Sequence, residues 1–274
     1  MPVRGLETEH TSLGAGDRGI ERGHDASDGN MPTLRGTQRV MRLFVGSLLL
    51  RPYVFLFLLA FLAAGVRDLG VGRTLLFLAW VWPLAFVAEF SSTRIGIPFG
   101  LYHYTQTTRG EELFIADVPF FDSLSFTFLA YASLCLARVV LASRNRLAIA
   151  GLSGVLMMLL DVVIDPLAVR GDRWFLGRIF WYPEGGVYFG VPLSNFAGWV
   201  VVGALGVGGY LLLAGARAIG EKPWPGVGLY YGVLLFNLAL TAWIQEWSLL
   251  AAGIALHVIL AAALVTTSRR PRMA

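Results

Sequence analysis

Runs of about twenty apolar residues recur along this chain, and they restrict its fold more than any motif does. A helix needs roughly 20 consecutive apolar residues to cross the hydrocarbon core of a bilayer. Seven stretches approach that length: 44–66, 73–91, 118–142, 147–165, 192–215, 226–246 and 248–267. Composition agrees, because 56% of the 274 residues are hydrophobic and only 15% are charged, against about 25% charged in a typical soluble domain. The expected fold is therefore all-α, a polytopic membrane bundle of about seven transmembrane helices, multi-pass in the cell membrane with the lipid bilayer as its partner. Residues 1–42 are polar and lack apolar periodicity, which predicts a disordered tail. The membrane domain is expected over 43–268, followed by a short basic tail at 269–274.

A seven-span reading sorts the polar residues by side. The ends of the second, fourth and sixth spans fall at one face, together with the starts of the third and fifth. Glu89, Asp117, Asp122, Asp161, Asp165, Asn195 and Glu246 all lie near that face. The opposite face offers mostly Arg and Gly, with Asp68, Glu221 and Lys222. Acids held at membrane depth are costly and mark functional sites.

Asp161 and Asp165 are four apart, so they share one helix face about one turn from each other. Two carboxylates in an apolar setting resist ionising together, so one is expected to keep a proton that it can donate while the other accepts. Pro166 is expected to end this helix just after Asp165. Glu89 closes the second span, five residues before Arg94.

Two connections are long, 92–117 and 166–191, and both are unusually aromatic. The first carries Tyr102, His103 and Tyr104; the second runs through Trp181, Tyr182 and Tyr188 toward Asn195 and Trp199. Irregular backbone this apolar is expected to fold back on the bundle and wall a cavity, where aromatic faces can stabilise a cation. The candidate set is therefore Asp161, Asp165 and Glu89 for proton transfer, with Arg94, Tyr102, His103, Tyr104, Trp181, Tyr182, Tyr188, Asn195 and Trp199 around the ligand.

Several chemistries are disfavoured. The sole lysine, Lys222, stands in a loop, where a retinal Schiff base has no use for it. His103 has no His or Cys at ligand spacing, so no metal is expected. No phosphate loop, dinucleotide fingerprint or haem-attachment motif occurs, and no cofactor is expected. The net charge of +4 is modest and suits anionic headgroups, not nucleic acid. Cys135, the one cysteine, cannot form an intrachain disulfide.

Taken together, "EFSSTRIGIPFGLYHYT" (89–105), "DVVIDPLAVRGDRWF" (161–175) and "GVYFGVPLSNFAGW" (186–199) resemble the membrane-embedded carotenoid biosynthesis protein family of the 1,2-hydratase type. The likeness spans about 86–200. One departure is visible: "ADVPFFDSLSFTF" has Asp117 and no tryptophan where the family pattern leads to one. The resemblance implies addition of water across the terminal C1–C2 double bond of an acyclic carotenoid end group. Lycopene, γ-carotene and bisanhydrobacterioruberin-like pigments are the substrates it suggests. By that reading Asp161 or Asp165 protonates the alkene, the other acid or Glu89 orients water, and Trp181, Tyr182 and Trp199 shield the cation. Asn195 bonds the water or an acid, and Arg94 tunes Glu89. An end-group cyclase shares the protonation step but captures the cation with an internal double bond. A non-enzymatic polyene- or lipid-binding protein would leave the pigment's mass unchanged.

Overall fold

The computed structural model describes residues 36–141, 145–215 and 218–268. The tail up to residue 35 and the basic tail 269–274 lie outside the described residues. Eight helices follow one another: α1 (Gly36–Leu50), α2 (Pro52–Asp68), α3 (Val71–Ile95), α4 (Phe120–Leu141), α5 (Arg146–Ala168), α6 (Leu193–Leu213), α7 (Trp224–Trp243) and α8 (Trp247–Ser268). Between them lie four two-residue strands: β1 (His103–Tyr104), β2 (Phe114–Ile115), β3 (Val118–Pro119) and β4 (Phe180–Trp181). The protein is an all-α, multi-pass membrane bundle.

Five helices, α3 to α7, are long and apolar enough to cross a membrane, and α1 with α2 make a sixth candidate if that bent pair is one span. The apolar part of α8 is shorter, Trp247–Ala262. Length and composition thus support five or six spans among the described residues, where seven were expected. The difference lies in the last expected span, 248–267, where α8 falls short, and in the first, 44–66, which breaks in two with a bend of 93°. Its cause is local. Pro52 opens α2 at its first helical position, where a missing N–H costs nothing. The residue before a proline is pushed out of the helical region, and Arg51 sits at φ −130°, ψ 53°. Helix α1 also begins at Gly36, ahead of the expected start of the membrane domain at 43.

Helix α4 is the central post, buried almost continuously from Phe121 to Arg138. Helices α2, α3, α5, α6 and α7 pack around it. The tightest pair is α5 with α6. A Cβ on Gly203 would stand 2.9 Å from Gly154 Cα, and one on Gly154 would strike the Val200 carbonyl oxygen. Small residues that let backbones approach are how membrane helices gain packing energy without a hydrophobic drive between them. Asn145 starts α5 with a side-chain cap, accepting from the N–H groups of Leu147 and Ala148 at 3.1 and 3.2 Å.

Pro166 does not end α5. The helix runs on to Ala168, and the Val169 N–H still donates to the Asp165 carbonyl at 2.9 Å. A proline in the last turn deletes only one backbone donor, and the Arg170 guanidinium covers the Pro166 carbonyl at 2.9 Å.

The two long connections meet over one end of the bundle. Strands β1 and β4 pair antiparallel, His103 opposite Trp181 and Tyr104 opposite Phe180. Leu176, Ile179, Phe180, Tyr182 and Val191 of the second connection are buried, so it folds back on the bundle as its composition predicts. The first connection is pinned at Arg51. The Arg51 guanidinium grips Glu112 with two hydrogen bonds of 2.8 Å, both side chains buried, and the Thr108 hydroxyl donates to the same carboxylate.

A candidate active site beneath the paired loops

Helix α3 ends at Gly96, which takes a left-handed conformation (φ 75°) and donates to the Ser92 carbonyl at 3.0 Å. The Ser92 hydroxyl accepts from the Phe99 N–H at 2.9 Å. This turn drops Phe99 against α6, where Gly198 leaves room: a Cβ there would lie 2.6 Å from the Phe99 ring. Phe99, Phe126 and Trp199 form an aromatic wall, with Phe126 stacked on Trp199 at 4.2 Å and 7°.

That wall bounds a cavity of about 110 Å³ at the end of the bundle where α3 and α5 finish and α4 and α6 begin. Its polar lining includes Glu89 from α3, Asp122 from α4, Asp165 from α5 and Asn195 from α6. Tyr102, Tyr104 and Tyr182 from the paired loops close it on one side; Tyr53 and Phe57 from α2 and Phe236 from α7 stand on another.

The close approach of α5 and α6 sets the central contact. Asn195 Nδ2 donates to Asp161 Oδ2 at 2.8 Å and to Asp165 Oδ2 at 2.7 Å. Asp165 faces the cavity, while Asp161 is fully buried behind it. Asp161 Oδ1 and Glu89 Oε2 are buried with no hydrogen-bond partner among the described residues. A buried polar atom left unpaired costs free energy and calls for an explanation. In the same cavity, the Tyr104 hydroxyl donates to Asp122 Oδ2 at 3.0 Å. None of these four carboxyl groups forms an ion pair among the described residues. Burial first, and nearby carboxyls second, hold the Tyr102 and Tyr104 phenols well above their ordinary pKa, so both remain O–H donors. Burial raises Tyr182 likewise.

Of the residues expected here, Asp165, Glu89, Tyr102, Tyr104, Tyr182, Asn195 and Trp199 line the cavity, and Asp161 reaches it through Asn195. Four do not. Side chains alternate across a strand, so in the β1–β4 ribbon Tyr104 and Phe180 turn inward while His103 and Trp181 turn out, Trp181 being 38% exposed. Arg94 is five residues from Glu89, about 140° round the helix. It lies over the Phe90 ring at 3.6 Å, donates to the Ala116 carbonyl and faces Asp117, so it does not touch Glu89. Tyr188 packs edge-on against Phe189 and Phe196, away from the cavity.

The site also contains residues that the sequence did not single out for it. Asp122 sits at the edge of an apolar run on the same face as the other acids, which was its one visible signal. Phe99 and Trp174 belong to the two aromatic connections, and Phe126 lies in an apolar helix with no signal of its own. Nothing in sequence links Arg51 to Glu112, 61 residues away. Among the described residues, no group of three or more His, Cys, Asp or Glu side chains is placed to hold a metal ion.

Fold and site together define a helical membrane protein with an acidic, aromatic pocket at one end of its bundle. A family model described as carotenoid biosynthesis protein matches residues 50–267, and the chain belongs to that family. It is similar to a bisanhydrobacterioruberin hydratase of Haloarcula japonica, 30% identical over 148 residues, which is 53% of this chain and 47% of that protein. The similarity thus spans about half the length of that relative. No solved structure matches the chain.

Proposed function

We propose that this protein is a carotenoid hydratase that adds water across the terminal C1–C2 double bond of an acyclic end group. The observation carrying this reading is a set of buried and half-buried carboxyl groups, none of them ion-paired among the described residues, against an aromatic wall. Structural acids are normally neutralised; these are left free for proton exchange. The similarity to a named hydratase supports the same chemistry.

Asp165 faces the cavity, and in its protonated form it donates to C2, leaving a tertiary cation at C1. Asp161 stands behind it, and the Asn195 amide holds both carboxyls in register. The faces of Trp199, Phe126 and Tyr182 stabilise the cation as it forms. Water held beside Glu89 adds to C1 and gives up a proton, and proton exchange with solvent restores Asp165. The sum is one alkene plus one water giving one tertiary alcohol, with no electrons exchanged. The cavity suits a pigment's end group, while the rest of the polyene, about as long as the hydrocarbon core is thick (roughly 30 Å), lies along the membrane.

Expression in a lycopene-producing host tests this reading. The extracted pigment is expected to gain the mass of one water per processed end. An unchanged mass with a ring formed would point to a cyclase, and an unchanged pigment to a binding protein; either would overturn it.

A further inference from the structure

Resting on the hydratase reading, we infer that Asp122, held by Tyr104, is the base that receives the proton from the attacking water, in the cavity it shares with Asp165.

Three features favour negative charge at Asp122. The Tyr104 hydroxyl donates to it at 3.0 Å, whereas Glu89 Oε2 has no partner among the described residues. Asp122 sits in the first turn of α4, where the helix dipole presents its positive end. Arg51, a buried cation fixed by Glu112, lines the same cavity. Asp165 instead lies in the last turn of α5, at the negative end of its dipole, and it shares the Asn195 amide with the Asp161 carboxyl that crowds it, which suits a group that must carry a proton. The site is thereby polarised. Side chains of α5 and α6 supply the proton to carbon, and those of α4 and β1 remove one from water. Glu89, on α3, orients the water without having to hold its proton.

The assignment separates the two half-reactions. Protonation at C2 needs Asp165; capture at C1 needs Asp122. A cation that is formed but not captured loses a proton from C2 or from a C1 methyl group and returns an alkene. In D2O that cycle places deuterium in the recovered carotenoid while adding no oxygen. Tyr104 is a positioning residue that acts through Asp122.

The experiment uses membranes containing the full chain, incubated with lycopene in D2O, with pigment analysed for both deuterium and added water. Wild type is expected to yield labelled alcohol. Asp122→Asn is expected to lower alcohol formation about 10²- to 10⁴-fold, the usual worth of a general base, while recovered alkene still gains deuterium. Asp165→Asn is expected to lose both signals. Tyr104→Phe is expected to lower the ratio of alcohol to label about tenfold. Asp117→Asn, an exposed position outside the cavity, serves as the control and is expected to match wild type. The inference is overturned if Asp122→Asn hydrates at the wild-type rate, or if it accumulates normally in the membrane but loses deuterium and alcohol together. Should Asp122→Asn fail to accumulate, Tyr104→Phe decides, and an unchanged ratio overturns the inference. A wild-type protein that never adds water overturns the hydratase reading instead, so the two failures are distinct.

Discussion

Buried acids occur at both ends of this bundle, and they are treated in opposite ways. At one end Asp68, the last residue of α2, is gripped by Arg138 of α4 at 2.5 and 3.2 Å and accepts from the Lys222 backbone N–H at 2.7 Å, with the Tyr131 hydroxyl at 3.4 Å. Arg138 also donates to the Gly220 carbonyl. Every strong acceptor position there is filled, and the cluster ties α2, α4 and the α6–α7 connection together. At the other end Glu89, Asp122, Asp161 and Asp165 surround a cavity and share one amide and one phenol. The difference shows how to tell a structural acid from a chemical one in an apolar interior. A carboxylate that fastens helices is surrounded by donors, whereas one that exchanges protons must keep an unfilled position next to space for a reactant.

This contrast has consequences that can be measured. The largest concerns the cavity. Asp165→Asn should cut the yield of hydrated pigment by about 10²- to 10⁴-fold while the protein accumulates normally; mass analysis of pigment beside an immunoblot checks both. At the paired end the expectation reverses. Arg138→Met leaves Asp68 buried without its cation, a loss of about 3–5 kcal/mol. It should lower the melting temperature in detergent sharply, yet leave activity per folded molecule close to wild type. A catalytic loss at Arg138 without destabilisation would break the distinction.

Asn195→Ala falls between the two. It strips a donor from both Asp161 and Asp165, at a cost of about 1–3 kcal/mol for groups left unsatisfied, and should lower hydration by roughly tenfold to a hundredfold. A double variant with Asp165→Asn should lose little more than Asp165→Asn alone, because the two side chains act as one unit. The smallest effects are expected at His103 and Trp181, on the outer face of the β1–β4 ribbon. Alanine at either should change stability by about 0.5 kcal/mol or less and leave pigment yield within about twofold. A large loss at Trp181 would mean that the ribbon turns its outer face to the substrate.

Much of the site is legible in the sequence. Span parity placed Glu89, Asp122, Asp161, Asp165 and Asn195 at one face, and the structure gathers Glu89, Asp122, Asp165 and Asn195 around one cavity. Hydropathy located α3 to α8 within a few residues, because a helix in lipid must satisfy its own backbone and so has little freedom of length. The structure departs from expectation where local backbone geometry decides the course of the chain. Pro52 breaks the first expected span; Pro166 fails to end α5; and strand alternation turns His103 and Trp181 outward although their neighbours Tyr104 and Phe180 point in.

What the sequence determined by itself was the solvent, the helices, and the face at which the acids lie. Those follow from hydropathy and period, which are local properties summed along the chain. Only the tertiary structure decided which acids are paired. Asp68 finds Arg138 70 residues away and Arg51 finds Glu112 61 residues away, and no local pattern encodes either meeting. Asp165, by contrast, is left facing an aromatic cavity. The neutralisation of a buried charge depends on what packs against it over a few ångströms, and that is fixed by how the helices cross.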